Sequence, residues 1–94
     1  MSAKWTLLSH HAHVLIALAG DPELTMEQLA EIGGITTRSV VNVLNDLVEA
    51  GYLTKERRGR KNHYTINLQA PLRHITSSDR QVGDLIQALG QLNR

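Results

Sequence analysis

The sequence contains no cysteine. That excludes a disulfide framework and a thiolate metal site, and it suits a reducing compartment. No apolar stretch approaches the roughly 20 residues that a membrane-spanning helix needs. The first residues, Met1 to Lys4, lead into a helix-like segment without the charged-then-apolar pattern of a secretion signal. A soluble, cytoplasmic protein is expected. Internal repeats and low-complexity runs are absent. Catalytic signatures are missing as well. Ser9, Ser77 and Ser78 lack the context of a nucleophile elbow, no carboxylate pair marks an obvious cleft, and no glycine loop is set to cradle phosphate. The protein is therefore not expected to be an enzyme or to need a cofactor. Excess charge of one sign is nearly absent too. The formal net charge is +1, so the overall balance points to no particular partner.

The distribution of that charge does point somewhere. Lys55, Arg57, Arg58, Arg60 and Lys61 are five of the ten Lys and Arg residues in a 94-residue chain, and only Glu56 opposes them locally. Such a block is a candidate footprint for a polyanion, or else a solvated turn. The length allows one small domain, whose limited burial makes a partner subunit useful.

Apolar spacing organises the rest. Residues 5–19 read as a helix through Leu7, Leu8, His11, Val14, Leu15 and Leu18, with Gly20 and Pro22 stopping it. Thr25 and Gln28 form a capping box for a short helix from Met26 to about Ile32, broken by Gly33-Gly34. A third helix starts near Thr36 or Thr37. Its inward stripe is Val40, Leu44, Leu47 and Val48, with Val43 on the flank, and Gly51 ends it. A strand Tyr52–Arg57, a turn Arg58–Asn62 and a strand His63–Leu68 follow, with Tyr64, Ile66 and Leu68 on one face. Residues 69–78 read as a connector, and a last helix covers about Asp79–Asn93. The fold class is mainly α with a small β-hairpin. The hairpin alone is marginal in water and must pack on the helices.

Residues 24–66, LTMEQLAEIGGITTRSVVNVLNDLVEAGYLTKERRGRKNHYTI, resemble the winged helix-turn-helix domain of MarR/ArsR-like prokaryotic regulators. The shared marks are Leu29-Ala30, Ile35 and Thr36 at the turn, Val40, Leu44 and Leu47, the corner Ala50-Gly51-Tyr52-Leu53, and the hairpin from Gly59 to Tyr64. The flanks His11–Leu15 and Pro71–His74 are similar to a subgroup of single-domain MarR-type proteins. The resemblance implies one winged-helix domain over 1–94, with its helix-turn-helix at about 25–51 and its wing at about 52–68. The chain is too short for the long helices that build the dimer and effector pocket of full-length members.

In that setting the third helix would enter the major groove of double-stranded DNA, where each base pair presents a distinct pattern. Arg38, Asn42, Asn45 and Glu49 lie opposite the apolar stripe, with Thr37 and Val41 on a flank. Asn can bond adenine bidentately, Arg guanine, and Val41 can touch a thymine methyl. Thr36, Thr37 and Ser39 lie at the helix N-terminus, which favours phosphate. Arg57, Arg58, Arg60 and Lys61 of the wing would neutralise phosphates or enter the minor groove. Trp5, Leu8, Val82, Leu85, Ile86 and Leu89 enrich the terminal helices in apolar surface, so a homodimer through them is expected. His10, His13 and His74 raise a metal hypothesis. No carboxylate lies within helical reach of His10 or His13 along their own helix, and no compact ligand motif appears. His11 and His13 are expected to pack and hydrogen-bond in the first helix's interface, near Arg73 or His74. Alternative readings are a winged-helix protein-interaction module and a metal- or ligand-responsive sensor. The latter requires a pocket that the sequence does not locate.

Overall fold

A computed structural model describes residues 8–72 and 80–89 of the chain. The order of elements is α1 (His10–Gly20), α2 (Met26–Gly33), α3 (Thr37–Glu49), β1 (Leu53–Arg58), β2 (Lys61–Ile66) and α4 (Val82–Leu89). The arrangement is a winged helix-turn-helix: three packed helices, an antiparallel hairpin, and a short helix closing back on α1.

Capping side chains start each of the first three helices. The Ser9 hydroxyl accepts from Ala12 N–H, so α1 begins at His10 and not at Trp5 as the apolar spacing suggested. Leu8 and Ser9 precede it, and residues 5–7 lie outside the described part. Gly20 is the last helical residue, not the stop. At α2 the capping box forms in both directions. Gln28 N–H donates to Thr25 Oγ1 at 3.1 Å, and Thr25 N–H donates to Gln28 Oε1 at 2.8 Å. Thr36 caps α3 by accepting from Ser39 N–H at 3.1 Å. A cap of this kind stabilises a helix by about 1 kcal/mol. Gly34, at φ +67°, supplies the left-handed residue that turns the chain between α2 and α3.

Burial follows helical spacing with one exchange. Val40, Val43, Leu44 and Leu47 face the core, while Val48 is 41% exposed. The stripe is therefore centred one flank over from the predicted one, which included Val48 and set Val43 on the flank. Val14, Leu18, Leu29, Val40 and Val82 are fully buried and form the centre of the core, with Tyr52, Leu53 and Tyr64 from the hairpin. Each such aliphatic side chain contributes about 1.5–3 kcal/mol by leaving water.

The hairpin register pairs Leu53 with Ile66, Lys55 with Tyr64, Arg57 with Asn62 and Arg58 with Lys61. The turn is therefore Gly59-Arg60 alone, shorter than the expected Arg58–Asn62. Gly59 has φ +64° and Arg60 a negative φ, the pattern of a II′ turn that matches strand twist. The second strand begins earlier and ends earlier than expected, and Leu68 is exposed beyond it.

Backbone bonds fix the wing at both edges. Tyr52 N–H donates to Leu47 C=O, and Asn67 N–H to Tyr52 C=O, both at 2.9 Å. These tie the base of the hairpin to the end of α3. On the free edge of β2, Tyr64 N–H donates to Pro22 C=O at 3.0 Å. His63 Nδ1 meets Glu23 Oε2 at 3.1 Å. The connection between α1 and α2 thus covers an edge that would otherwise be open to pairing with another chain.

The segment after β2 pairs with the start of α4. Leu72 N–H donates to Arg80 C=O, Val82 N–H to Ala70 C=O, and Gly83 N–H to Leu68 C=O. A Cβ at Gly83 would lie 3.0 Å from the Leu68 carbonyl oxygen, so any larger residue would push this approach apart by a few tenths of an ångström. The predicted ends of the last helix, Asp79 and 90–93, lie outside the described residues.

Candidate nucleic-acid interface

Helix α3 has 13 residues and is about 20 Å long at 1.5 Å per residue. With Val40, Val43, Leu44 and Leu47 turned inward, spacings of three and four residues set Arg38, Asn42, Asn45 and Glu49 on the opposite side. All four are exposed. Arg38, Asn42 and Asn45 have no side-chain partner among the described residues, so their hydrogen-bonding groups are available to a ligand. Thr37 and Val41 lie on one flank, Val41 at 43% exposure. Thr36 serves as the cap and its hydroxyl also donates to Ser39 Oγ at 3.1 Å. Both hydroxyls are engaged in the local turn, and their exposed edge lies at the N-terminus of the helix.

The wing's cations do not form one uniform cluster. Arg58 Nη2 pairs with Glu56 Oε1 at 3.1 Å, and its Nε donates to the same oxygen at 3.2 Å. Arg57 Nε donates to the Gly59 carbonyl at 3.0 Å. Arg60 and Lys61 carry no side-chain partner among the described residues, and neither does Lys55. Register assigns them to faces. Leu53, Lys55 and Arg57 lie on the face that carries Tyr64 and Ile66, and Arg58 and Lys61 lie on the other. Lys55 is therefore a further exposed cation on the side of the hairpin that packs against the helices. The sequence already set Lys55 in the basic block, and counting in twos from buried Leu53 gives its face.

Of the two histidines expected to hydrogen-bond at the first helix's interface, His11 does so. His11 Nε2 donates to Asp46 Oδ2 at 2.9 Å, joining α1 to the flank of α3 opposite Val41. His13 Nε2 is buried and has no hydrogen-bond partner among the described residues. Arg73 and His74, the expected neighbours, lie outside the described residues. No group of three or more His, Asp or Glu among the described residues is placed to hold a metal ion. No helix among them is long and apolar enough to cross a membrane.

The terminal apolar residues also separate. Val82 is fully buried in its own chain, at 0% exposure, and is not available to a partner. It belongs to the core because α4 folds back onto α1. Ile86 packs on the same core. Leu8, Leu85 and Leu89 are half-buried, and Trp5 lies outside the described residues.

A capped helix-turn-helix with a polar outer face, flanked by a basic two-stranded wing, defines the class as winged-helix proteins. The model of the MarR family matches residues 5–61, more than half of the chain. The chain belongs to the MarR family, whose members are DNA-binding transcriptional regulators. No curated protein matches the chain.

Proposed function

We propose that this protein regulates transcription by binding double-stranded DNA in a sequence-dependent way, with α3 in the major groove and the wing on the flanking backbone or minor groove. The observation that carries the reading is the outer face of α3. Arg38, Asn42 and Asn45 are exposed, and unpaired among the described residues, on a helix whose other side is committed to the core. Two asparagines in mid-helix are poor helix formers, and base recognition gives them a reason. Val41 contacts a thymine methyl. Thr36, Thr37 and Ser39 approach phosphate at the helix N-terminus, which favours anions. Arg60 and Lys61 neutralise phosphates without first giving up a partner. Arg57 and Arg58 join them by exchanging the Gly59 carbonyl and the Glu56 carboxylate for phosphate. Glu49 repels the backbone, so contact fades toward the C-terminal end of α3.

The protein acts as a homodimer in this reading, using Leu8, Leu85 and Leu89 together with the segments around Trp5. Two recognition helices then address half-sites about 34–36 Å apart. Selection of bound duplexes from a random pool, repeated at several salt concentrations, tests both points. An enriched palindrome is the expected result. Recovery of no preferred sequence at any salt concentration would overturn sequence-specific binding, and a monomer in sedimentation at micromolar concentration would overturn the dimer.

A further inference from the structure

The wing is gripped on both of its faces at one point of β2. Tyr64 is buried beneath the hairpin, and its N–H donates to Pro22 C=O along the strand edge. Its neighbour His63 takes the opposite face, because side chains alternate along a strand. There the His63 Nδ1–H donates to Glu23 Oε2 at 3.1 Å. These side chains are 20% and 35% exposed, against 44% and 63% for His11 and Asp46, so solvent screens this pair less. Glu23 is itself held. Its N–H donates to Asp21 Oδ1 at 3.1 Å, and Asp21 N–H closes the end of α1 on Ala17 C=O. The carboxylate therefore projects from a pinned turn. His63 shares its face with Arg58 and Lys61. Lys61 lies two residues nearer the tip, about 7 Å along the strand. A two-stranded ribbon has little stability of its own. Held at its base and along one edge, it can still roll about that edge. A bond on the outer face, opposite buried Tyr64, fixes the roll.

We propose that Glu23 and His63 are positioning residues that fix the roll of the wing and thereby aim Lys61 and Arg58. The consequence for binding rests on the DNA reading, since the residues aimed are those assigned to phosphate; the clasp itself does not. The pair is ionic only when the imidazole is protonated. Histidine changes its charge between about pH 5 and 8, so the clasp is tightest toward acid. The charged groups around His63 come from three segments. The connection after α1 supplies Glu23 and Asp21, the latter engaged by Glu23 N–H. β1 supplies Glu56, directly across in register and engaged by Arg58. β2 itself supplies Lys61. Helix α1, which also packs against β2, carries no titratable side chain after His13.

Glu23→Gln removes the charge and keeps the shape. In the full chain without DNA, amide residual dipolar couplings report the orientation of β2 against α3. Those of Lys61, His63 and Thr65 are expected to change in the variant while those of α3 stay. The native couplings are expected to move toward the variant's as the pH rises from about 5.5 to 8. With DNA, the sign of the effect is decisive. A carboxylate merely standing near bound DNA repels it, so its removal would strengthen binding. Positioning gives the opposite result: severalfold weaker binding near pH 6 and a salt slope smaller by about 0.9, the share of one phosphate. The preferred sequence in duplex selection should not change, because phosphate contacts carry no sequence information. Should Glu23→Gln fail to fold, His63→Gln is expected to reproduce the altered couplings. Couplings identical in the native protein and a folded variant, or stronger DNA binding by Glu23→Gln, would overturn the proposal. A native protein that binds no duplex overturns the DNA reading instead, and the couplings without DNA then decide the clasp alone.

Discussion

The tip of the wing provides a quantitative test of the DNA reading. Arg60 and Lys61 have no side-chain partner among the described residues, whereas Arg58 is held by Glu56 and Arg57 by the Gly59 carbonyl. Replacing Arg60 and Lys61 with Ala removes two cations that the free protein keeps available. Each phosphate neutralised contributes about 0.9 to the slope of log K against log salt, so the double variant should lose about 1.8 from that slope. Between 50 and 200 mM salt the native protein would then lose about 12-fold more affinity than the variant. The effect should be similar on every duplex, because phosphate carries no sequence information. Arg58→Ala should change the slope by less, since its guanidinium already has an anion at 3.1 Å. Glu56→Gln releases that guanidinium and should steepen the slope. Fluorescence anisotropy with a labelled duplex across a salt series measures all of these. An unchanged slope in the Arg60/Lys61 variant would refute the placement of the wing on DNA.

Other expectations follow from single side chains. Asn42→Ala should cost about 1–3 kcal/mol on the preferred duplex and little on others, read as a changed consensus in duplex selection; a uniform loss on all duplexes would contradict base contact. Leu47→Ala removes a buried side chain that is 3% exposed and should destabilise the fold by about 2–5 kcal/mol in urea denaturation. Gly51→Ala forces a Cβ onto a residue at φ +85° and should cost about 1–2 kcal/mol, although no atom lies near enough to clash; an unchanged urea midpoint would show that the corner relaxes. Burial raises the Tyr64 phenol above its ordinary value of 10.0, against an opposing Asn62 hydrogen bond. The unfolded chain then loses its phenolic proton before the folded one does, so this contribution to stability is intact below about pH 10 and declines as pH rises past it. Urea midpoints at pH 8 and 10.5 should differ more for the native protein than for Tyr64→Phe.

The sequence by itself determined what depends on residues a few positions apart. Thr25 and Gln28 cap α2 because their side chains reach backbone groups within one turn. Thr36 and Gly51 bound α3 for the same local reason. A spacing of three and four residues placed Arg38, Asn42 and Asn45 on the outer face without reference to any other element. Where neighbours decided, the local pattern ran out. Val43 and Val48 are alike in chemistry and flank the same stripe, so only the positions of α1 and α2 chose which would be buried. The tight turn at Gly59-Arg60 depends on register between strands, which the apolar pattern of one strand does not set. Val82 entered the core because α4 folds back, pinned by the Val82 and Gly83 N–H groups donating to the Ala70 and Leu68 carbonyls. The pairs His11–Asp46 and His63–Glu23 join residues 35 and 40 positions apart.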